Sequence, residues 1–245
     1  MRIQRLDTYE KIANSLKSAN IPLVFFNQAQ MLDVFFNNEK FELYTIEHRD
    51  HTYFFTRKLR TMELRLLFEI FPQEVVEFLK KELKPPYIAY NELITDPKNE
   101  HQIKDPEITV DIARYVDLGD KKVRKHYNQA ERNNTNLVFK TFKNISRNNL
   151  ELFWKSWAEQ LSTREKFSDR TSNDARFFER YSEDQFFGIV AYEGEKLVAY
   201  SIGIHQTNTH CLSAFNKALR GYTNLGLQVS YKKAEQALSE TCFDS

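Results

Sequence analysis

Glycine is scarce in this chain and cysteine scarcer. There are six glycines in 245 residues, and none precedes Gly119. The first half must therefore turn its corners with Asn, Asp and Pro rather than with the residue most tolerant of positive φ. The two cysteines, Cys211 and Cys242, have no motif spacing. They point to a reducing compartment and no disulfide framework, with a single bridge between them the competing reading. No CxxC or His/Cys cluster offers a zinc site. No uncharged stretch approaches membrane-spanning length, since the apolar run at 21–26 is far too short. The N-terminus lacks the apolar core of a signal peptide. Charge of one sign is missing as well: 35 basic residues face 34 acidic ones, a net charge of +1. That balance excludes a general nucleic-acid coat protein, DNA-binding included, while leaving room for a local basic patch. The reading is a cytoplasmic protein with no membrane insertion.

Aromatic residues are plentiful, at 14% of the chain, so a substantial core can form. Residues 7–17 have helical spacing, with Leu6, Tyr9, Ile12, Ala13 and Leu16 on one face. Segments 41–47 and 51–57 alternate as strands do, around a polar turn at His48, Arg49 and Asp50. Segment 63–68 is another strand. Residues 72–83 form a helix opened by proline in its first turn, with Val75, Val76, Leu79 and Leu83 at helical spacing. A strand comes next at 87–90.

Residues 96–107 are polar, hold two prolines and make the best linker. Domain boundaries are accordingly set at 1–100 and 108–245. Ile108, Val110 and Ile112 alternate, and 115–118 continues the extended segment. Asp120 caps a helix over 121–133, which Asn133 and Asn134 break. A strand is expected at 137–142 and an amphipathic helix at 149–161, with Leu150, Phe153, Trp154, Trp157 and Leu161 inward. The polar run 164–170 could be a mobile loop over a cleft, but solvated surface is the plainer reading. Three strands come next, at 186–192, 197–204 and 210–215. The loop 216–224 carries Arg220, Gly221 and Tyr222, and a helix runs over 225–240 with Leu227, Tyr231, Ala234 and Leu238 inward. Residues 241–243 look like the start of another strand. Each half therefore mixes strands and helices in an α+β arrangement.

Chemistry concentrates in that final loop. A loop that leaves a strand and feeds a helix N-terminus offers unpaired N–H groups and the helix dipole to a phosphate. Gly221 permits close backbone approach, and Arg220 can pair with phosphate bidentately. A plain connecting loop is the competing reading. The helix 121–132 carries Lys121, Lys122, Arg124, Lys125 and Arg132 on its exterior. It suits the border of a site for a phosphate-bearing substrate or an RNA end, though solvated surface explains it equally. His205 and His210 flank a hairpin tip and are more simply turn residues. Trp154 and Trp157 could stack a ligand, but their register favours core packing. No nucleophile motif, Walker loop or metal-ligand spacing is present.

The basic helix with Arg124 and Ala130-Glu131, the Trp-bearing helix, and the hairpin 190–200 leading to Ala214-Phe215-Asn216, Arg220-Gly221-Tyr222 and Leu225-Gly226 carry a resemblance. Over residues 108–245 the chain resembles the GNAT-like acyltransferase superfamily, nearest its FemAB-like branch, which includes cell-envelope and polysaccharide gene products. The first half fits, by element order only, the degenerate GNAT-like domain that precedes it. The resemblance implies tandem GNAT-like mixed sheets flanked by helices, the second domain incomplete at its C-terminus. It implies a transferase that moves an acyl or aminoacyl group onto an amine, without a covalent enzyme intermediate. No tightly bound cofactor is implied; acyl-CoA or aminoacyl-tRNA is the co-substrate. Phe215, Asn216, Arg220, Gly221, Tyr222, Asn224 and Gly226 would hold the donor, and Arg124 and Lys125 the substrate. The acceptor would be a small-molecule or envelope-precursor amine, and tRNA a partner. The usual phosphate pattern is Arg/Gln-x-x-Gly-x-Gly/Ala, whereas here Thr223 and Leu225 take the glycine positions. That departure keeps the aminoacyl-tRNA donor open. No general base stands out among Asp184, Glu193, His205 and His210. A non-catalytic binding module with a degenerate GNAT-like fold is the alternative.

Overall fold

The structure, a computed structural model, describes residues 1–19, 29–69, 71–90, 112–143, 145–160, 168–182, 185–205 and 211–241. The linker at 96–107, the apolar run at 21–26, His210, Asp184 and the strand start at 241–243 fall wholly or mostly outside them. The chain divides into two compact units, Met1–Ile108 and Thr109–Ser245.

Unit 1 runs β1 (Arg2–Arg5), α1 (Tyr9–Ala19), α2 (Ala29–Phe36), β2 (Phe41–His48), β3 (His51–Lys58), β4 (Leu64–Leu67), α3 (Gln73–Leu83) and β5 (Ile88–Tyr90). Its sheet has the order β1-β2-β3-β4-β5, antiparallel except for the parallel β4–β5 pair. Strand β3 is buried on both faces, and successive residues serve opposite layers. Tyr53 and Phe55 pack with Val75 and Leu79 of α3. Phe54 packs with Ile12 of α1 and Leu32 of α2. The β2–β3 turn has only two residues, Arg49 (φ 48°) and Asp50 (φ 59°), because His48 already pairs with His51. This primed turn matches the twist of its strands. Pro72 sits at the N-cap of α3, one position before the expected first-turn site.

Unit 2 runs α4 (Ile112–Val116), α5 (Lys121–Asn133), β6 (Leu137–Thr141), α6 (Arg147–Glu159), α7 (Ser168–Arg180), β7 (Phe187–Glu193), β8 (Lys196–His205), β9 (Cys211–Ala218) and α8 (Leu225–Thr241). Its sheet is antiparallel throughout, in the order β6-β7-β8-β9. Asp120 caps α5 by accepting from the Lys122 and Val123 amides, and those two bonds hold its carboxyl below the usual range. From its first strand onward, unit 2 repeats the order of unit 1: strand, two helices, three strands, helix.

Several expectations are corrected. Residues 112–116 form a helix, not an extended segment; Tyr115 packs its ring near Tyr231 of α8. Helix α7 (Ser168–Arg180) is an element that the residue pattern did not reveal, and it buries Asp174 and Phe177 against the sheet. Strand β9 continues through Asn216 and Lys217 to Ala218, so the loop is shorter than 216–224. Helix α8 buries Gln228, Val229, Tyr231, Lys233 and Ala237, rather than the stripe through Leu227, Ala234 and Leu238. Strand β1 and helix α2 are elements that the residue pattern did not reveal.

The face assignment in unit 2 comes from β9. Asn216 reaches Ser230 of α8, while Lys217 reaches Asp174 of α7. Neighbouring strand residues point to opposite faces, so α8 covers one face and α6 with α7 the other. The pairing of Ile202 with Phe215 and of Gly203 with Ser213 leaves Ala214 as an extra residue. This bulge resets the alternation, so that Ser213 and Asn216 both face α8.

Strands β7 and β8 approach closely at Gly188. A Cβ there would stand 2.5 Å from the Ser201 carbonyl oxygen. Gly188→Ala is therefore expected to destabilise unit 2 by about 3 kcal/mol, the upper range of overpacking penalties. Both tryptophans lie on α6, so urea unfolding monitored by tryptophan fluorescence reads this unit. An unchanged midpoint would contradict the close approach.

Candidate functional site

The junction between β9 and α8 is held from beneath. The Leu219 amide donates to the Val198 carbonyl, and the Arg220 amide donates to Gln160 Oε1 at 2.6 Å. Asn134, itself buried, donates through Nδ2 to the Thr223 carbonyl at 2.9 Å and to Gln228 Oε1 at 2.8 Å. Gln228 Nε2 in turn donates to Glu131 Oε1 at 2.6 Å. Burial opposes ionisation of Glu131, yet the bonds from Gln228 and the nearby Lys232 ammonium bring its carboxyl below the usual range. Asn224 Nδ2 donates to the His126 carbonyl and to Gln129 Oε1. The end of α5 thus grips the start of α8.

The upper side of the loop is open. Gly221 is exposed with φ 101°, a conformation that favours glycine, and a Cβ there would meet nothing within 4 Å. A trans peptide directs its C=O and N–H oppositely. With the Thr223 carbonyl held by Asn134, the Asn224 N–H points away from that anchor. The amides of Leu225, Gly226 and Leu227 come after it, and the first turn of a helix has no internal acceptor for them. Tyr222 donates its hydroxyl to Glu193 Oε2 at 2.8 Å, and burial together with that carboxylate pushes the phenol up to about 12. Glu193 also accepts from Asn136.

Arg220, Gly221, Tyr222, Asn224 and Gly226 come together here. Phe215 does not join them with its side chain, which packs in the core against Phe177. Asn216 is a strand residue whose amide donates to the Gly226 carbonyl and Ser230 Oγ. Arg124 and Lys125 are exposed on α5, adjacent in sequence to His126. The side chain of His205 lies outside the described residues.

A second feature had no sequence forecast. On the α6/α7 face, four elements converge on one buried polar chain. Trp154 Nε1 of α6 donates to the Tyr200 hydroxyl of β8 at 2.9 Å, and Tyr200 donates to Asp174 Oδ2 of α7. Lys217 of β9 places its ammonium 2.8 and 2.6 Å from the two Asp174 oxygens, over the ring of Trp157. Asp174 is 1% exposed and Tyr200 fully buried. Burial raises the Asp174 carboxyl, opposed by Lys217; burial and Asp174 raise the Tyr200 phenol. Trp154 is core, as expected, but it also supplies a hydrogen bond. The available signal was Lys217, a charged residue on the same strand face as Phe215. On the opposite face Lys233 of α8 is buried and donates to Ser213 Oγ at 2.5 Å; burial pulls its ammonium down to about 8. Among the described residues no cluster of three His, Cys, Asp or Glu side chains could hold a metal ion. Nor is any described helix long and apolar enough to cross a membrane.

No protein-family model matches this sequence, and no curated protein matches it. Solved structures do. A conserved protein of unknown function from Bacteroides thetaiotaomicron superposes with a TM-score of 0.58 at 13% identity, over 98% of this chain and 88% of that one. A tandem GNAT protein from the clavulanic acid biosynthesis pathway, solved without AcCoA, superposes with a TM-score of 0.52 at 10% identity, over 98% of this chain and 86% of that one. The fold is GNAT-like. At these identities the likeness establishes architecture alone.

Two outcomes test the buried charges of this GNAT-like unit. Asp174→Asn leaves the Lys217 ammonium without its counter-charge and should cost about 3–5 kcal/mol in urea unfolding. The pair Asp174→Asn/Lys217→Met should recover most of that loss. A double variant as unstable as the single one would argue against a paired charge. Lys233 titrates near 8 in the fold against an ordinary 10.5. Between these values only the unfolded chain holds the proton, so stability should rise with pH, by roughly 3 kcal/mol at most. Below about pH 8 the burial penalty is fully present. Unfolding free energies from pH 7 to 10 should climb for the wild type relative to Lys233→Met. Parallel curves would refute the shift.

Proposed function

We propose that unit 2 is an acyltransferase domain, and that the two units are copies of one GNAT-like design. The observation that carries this reading is the β9–α8 junction: an edge strand of the described sheet leads into an open Gly221 loop and the start of a long helix. A phosphate-bearing tail of the donor lies across the amides of 224–227, with Arg220 as its counter-charge. The acyl arm runs along the edge of β9, whose outward backbone groups, offset by the bulge at Ala214, hydrogen-bond it. An amine attacks the acyl carbonyl carbon; a new C–N bond forms, the bond to the donor's sulfur or oxygen breaks, and the departing thiol or hydroxyl carries off the proton that the amine loses. The protein's part is chiefly orientation, which alone lowers such barriers substantially. Glu193, engaged by Tyr222 and Asn136, holds the loop rather than taking that proton. The donor is an acyl-CoA or an aminoacyl-tRNA, and the acceptor a small amine.

Unit 1 has the same element order but lacks the seat. Its α3 is preceded at the N-cap by Pro72, which has no N–H, and Glu74 occupies the first turn, paired with His48 and Arg49. An anion would meet a carboxylate there. One donor per chain is the consequence.

One observation favours a second reading, a binding module without turnover. The Arg220 amide is already spent on Gln160, so the loop offers one donor fewer.

Calorimetric titration with acetyl-CoA and with aminoacyl-tRNA, alongside an amine-acylation assay, decides among these. We expect one site per chain and about tenfold weaker donor binding in Arg220→Ala. Binding without acylation of any amine would favour the second reading. Two sites per chain, or equal affinity in the variant, would remove the loop from the mechanism.

A further inference from the structure

Away from the β9–α8 junction, the α6/α7 face of unit 2 holds a small pocket between the end of β6 and the two helices. It encloses about 110 Å³ and opens to solvent. Phe142, Leu150, Trp154, Ala175, Phe178 and Phe186 line its interior, and Arg147 and Glu179 stand at its mouth. An apolar cavity of about 150 Å³ takes one benzene ring, so this smaller volume seats at most one ring, with its substituent out at the open mouth. The walls are set before any ligand arrives. Phe142 and Phe178 stack at 5.0 Å between centroids, and Phe186 meets Phe142 edge-on. The indole N–H of Trp154 is turned inward to Tyr200, so this wall presents carbon to the pocket. The mouth is polar in both senses. Arg147 spends Nε on Glu151 and one terminal nitrogen on Glu179. A guanidinium has five N–H donors, and among the described residues the other terminal nitrogen has no hydrogen-bond partner, so it can meet a ligand while Glu179 accepts. A hydroxyl both accepts and donates, and so matches an Arg–Glu pair as neither a carboxylate nor an ammonium does.

We propose that this pocket binds a small molecule, or a substituent, bearing one aromatic ring and a hydroxyl: a phenol or an aryl alcohol. The site does not rest on acyl transfer. The ring stacks among Phe142, Phe178 and Trp154, and the hydroxyl bridges Arg147 and Glu179.

The test uses the full chain carrying Trp157→Phe, which leaves Trp154 as the single tryptophan reporter. Titration with phenol should change its emission saturably, with a dissociation constant in the millimolar range. Anisole, which keeps the ring and loses the donor, should bind severalfold more weakly. Adding Ala175→Leu should fill the pocket and abolish the response; if that variant fails to fold by circular dichroism, Ile145→Phe, at a residue that also lines the pocket, blocks it instead. A linear, unsaturable response to phenol, equal binding of anisole, or undiminished binding in the folded filled variant would overturn the proposal.

Discussion

The interaction on which unit 2 depends is the ion pair between Asp174 and Lys217. It joins the last helix of the α6–α7 pair to the last strand of the described sheet, and through Tyr200 and Trp154 it reaches the central strand and α6 as well. Burying both charges carries a desolvation penalty that only close pairing and further hydrogen bonds offset. Here both carboxylate oxygens are engaged, and aromatic rings surround the ammonium. An apolar set of similar volume would cost less to bury. What the ionic chain adds is a fixed geometry: β9 cannot slide along β8, nor α7 along the sheet, without stranding a charge.

That constraint bears on the open junction beyond it. The Gly221 loop begins within a few residues of Lys217, so the strand that would guide an acyl arm is anchored just before the loop. On the other face, Asn134 and Gln228 hold the carbonyl side of the loop down. The proposed donor seat is the amide side. The same two anchors leave the aromatic pocket undisturbed, because Trp154 turns its one polar atom toward Tyr200.

Much of the fold was legible in the residues. The β2–β3 hairpin, α3, α5 with its Asp120 cap, α6 and the three strands of the last third come from period, turn chemistry and capping, which are local properties. The misses have physical causes. Helix α7 begins in a polar stretch, and its inward face is marked late, by the buried Asp174 and by Phe177 and Phe178. Tyr115 and Val116 have strand-like side chains, yet contact with Tyr231 of α8 makes their segment a helix. The inward stripe of α8 was misassigned because Gln228 and Lys233 are polar and periodicity looks for apolar residues. In the candidate site, the glycine loop and helix start were visible; the partners beneath them, Asn134 and Gln228, lie some ninety residues apart and had no shared local pattern.

By itself the sequence determined the α+β character, the placing of every glycine from Gly119 onward and a strand–loop–helix junction near the end, since backbone period and turn propensity act over a few residues. The tertiary structure alone decided that Asp174, Tyr200, Trp154 and Lys217 form one chain, that Lys233 is buried on the other face and that Gly221 opens to solvent. Those are consequences of which faces meet when a sheet is covered on both sides. Desolvation and hydrogen-bond geometry are set by that meeting, not by neighbours along the chain.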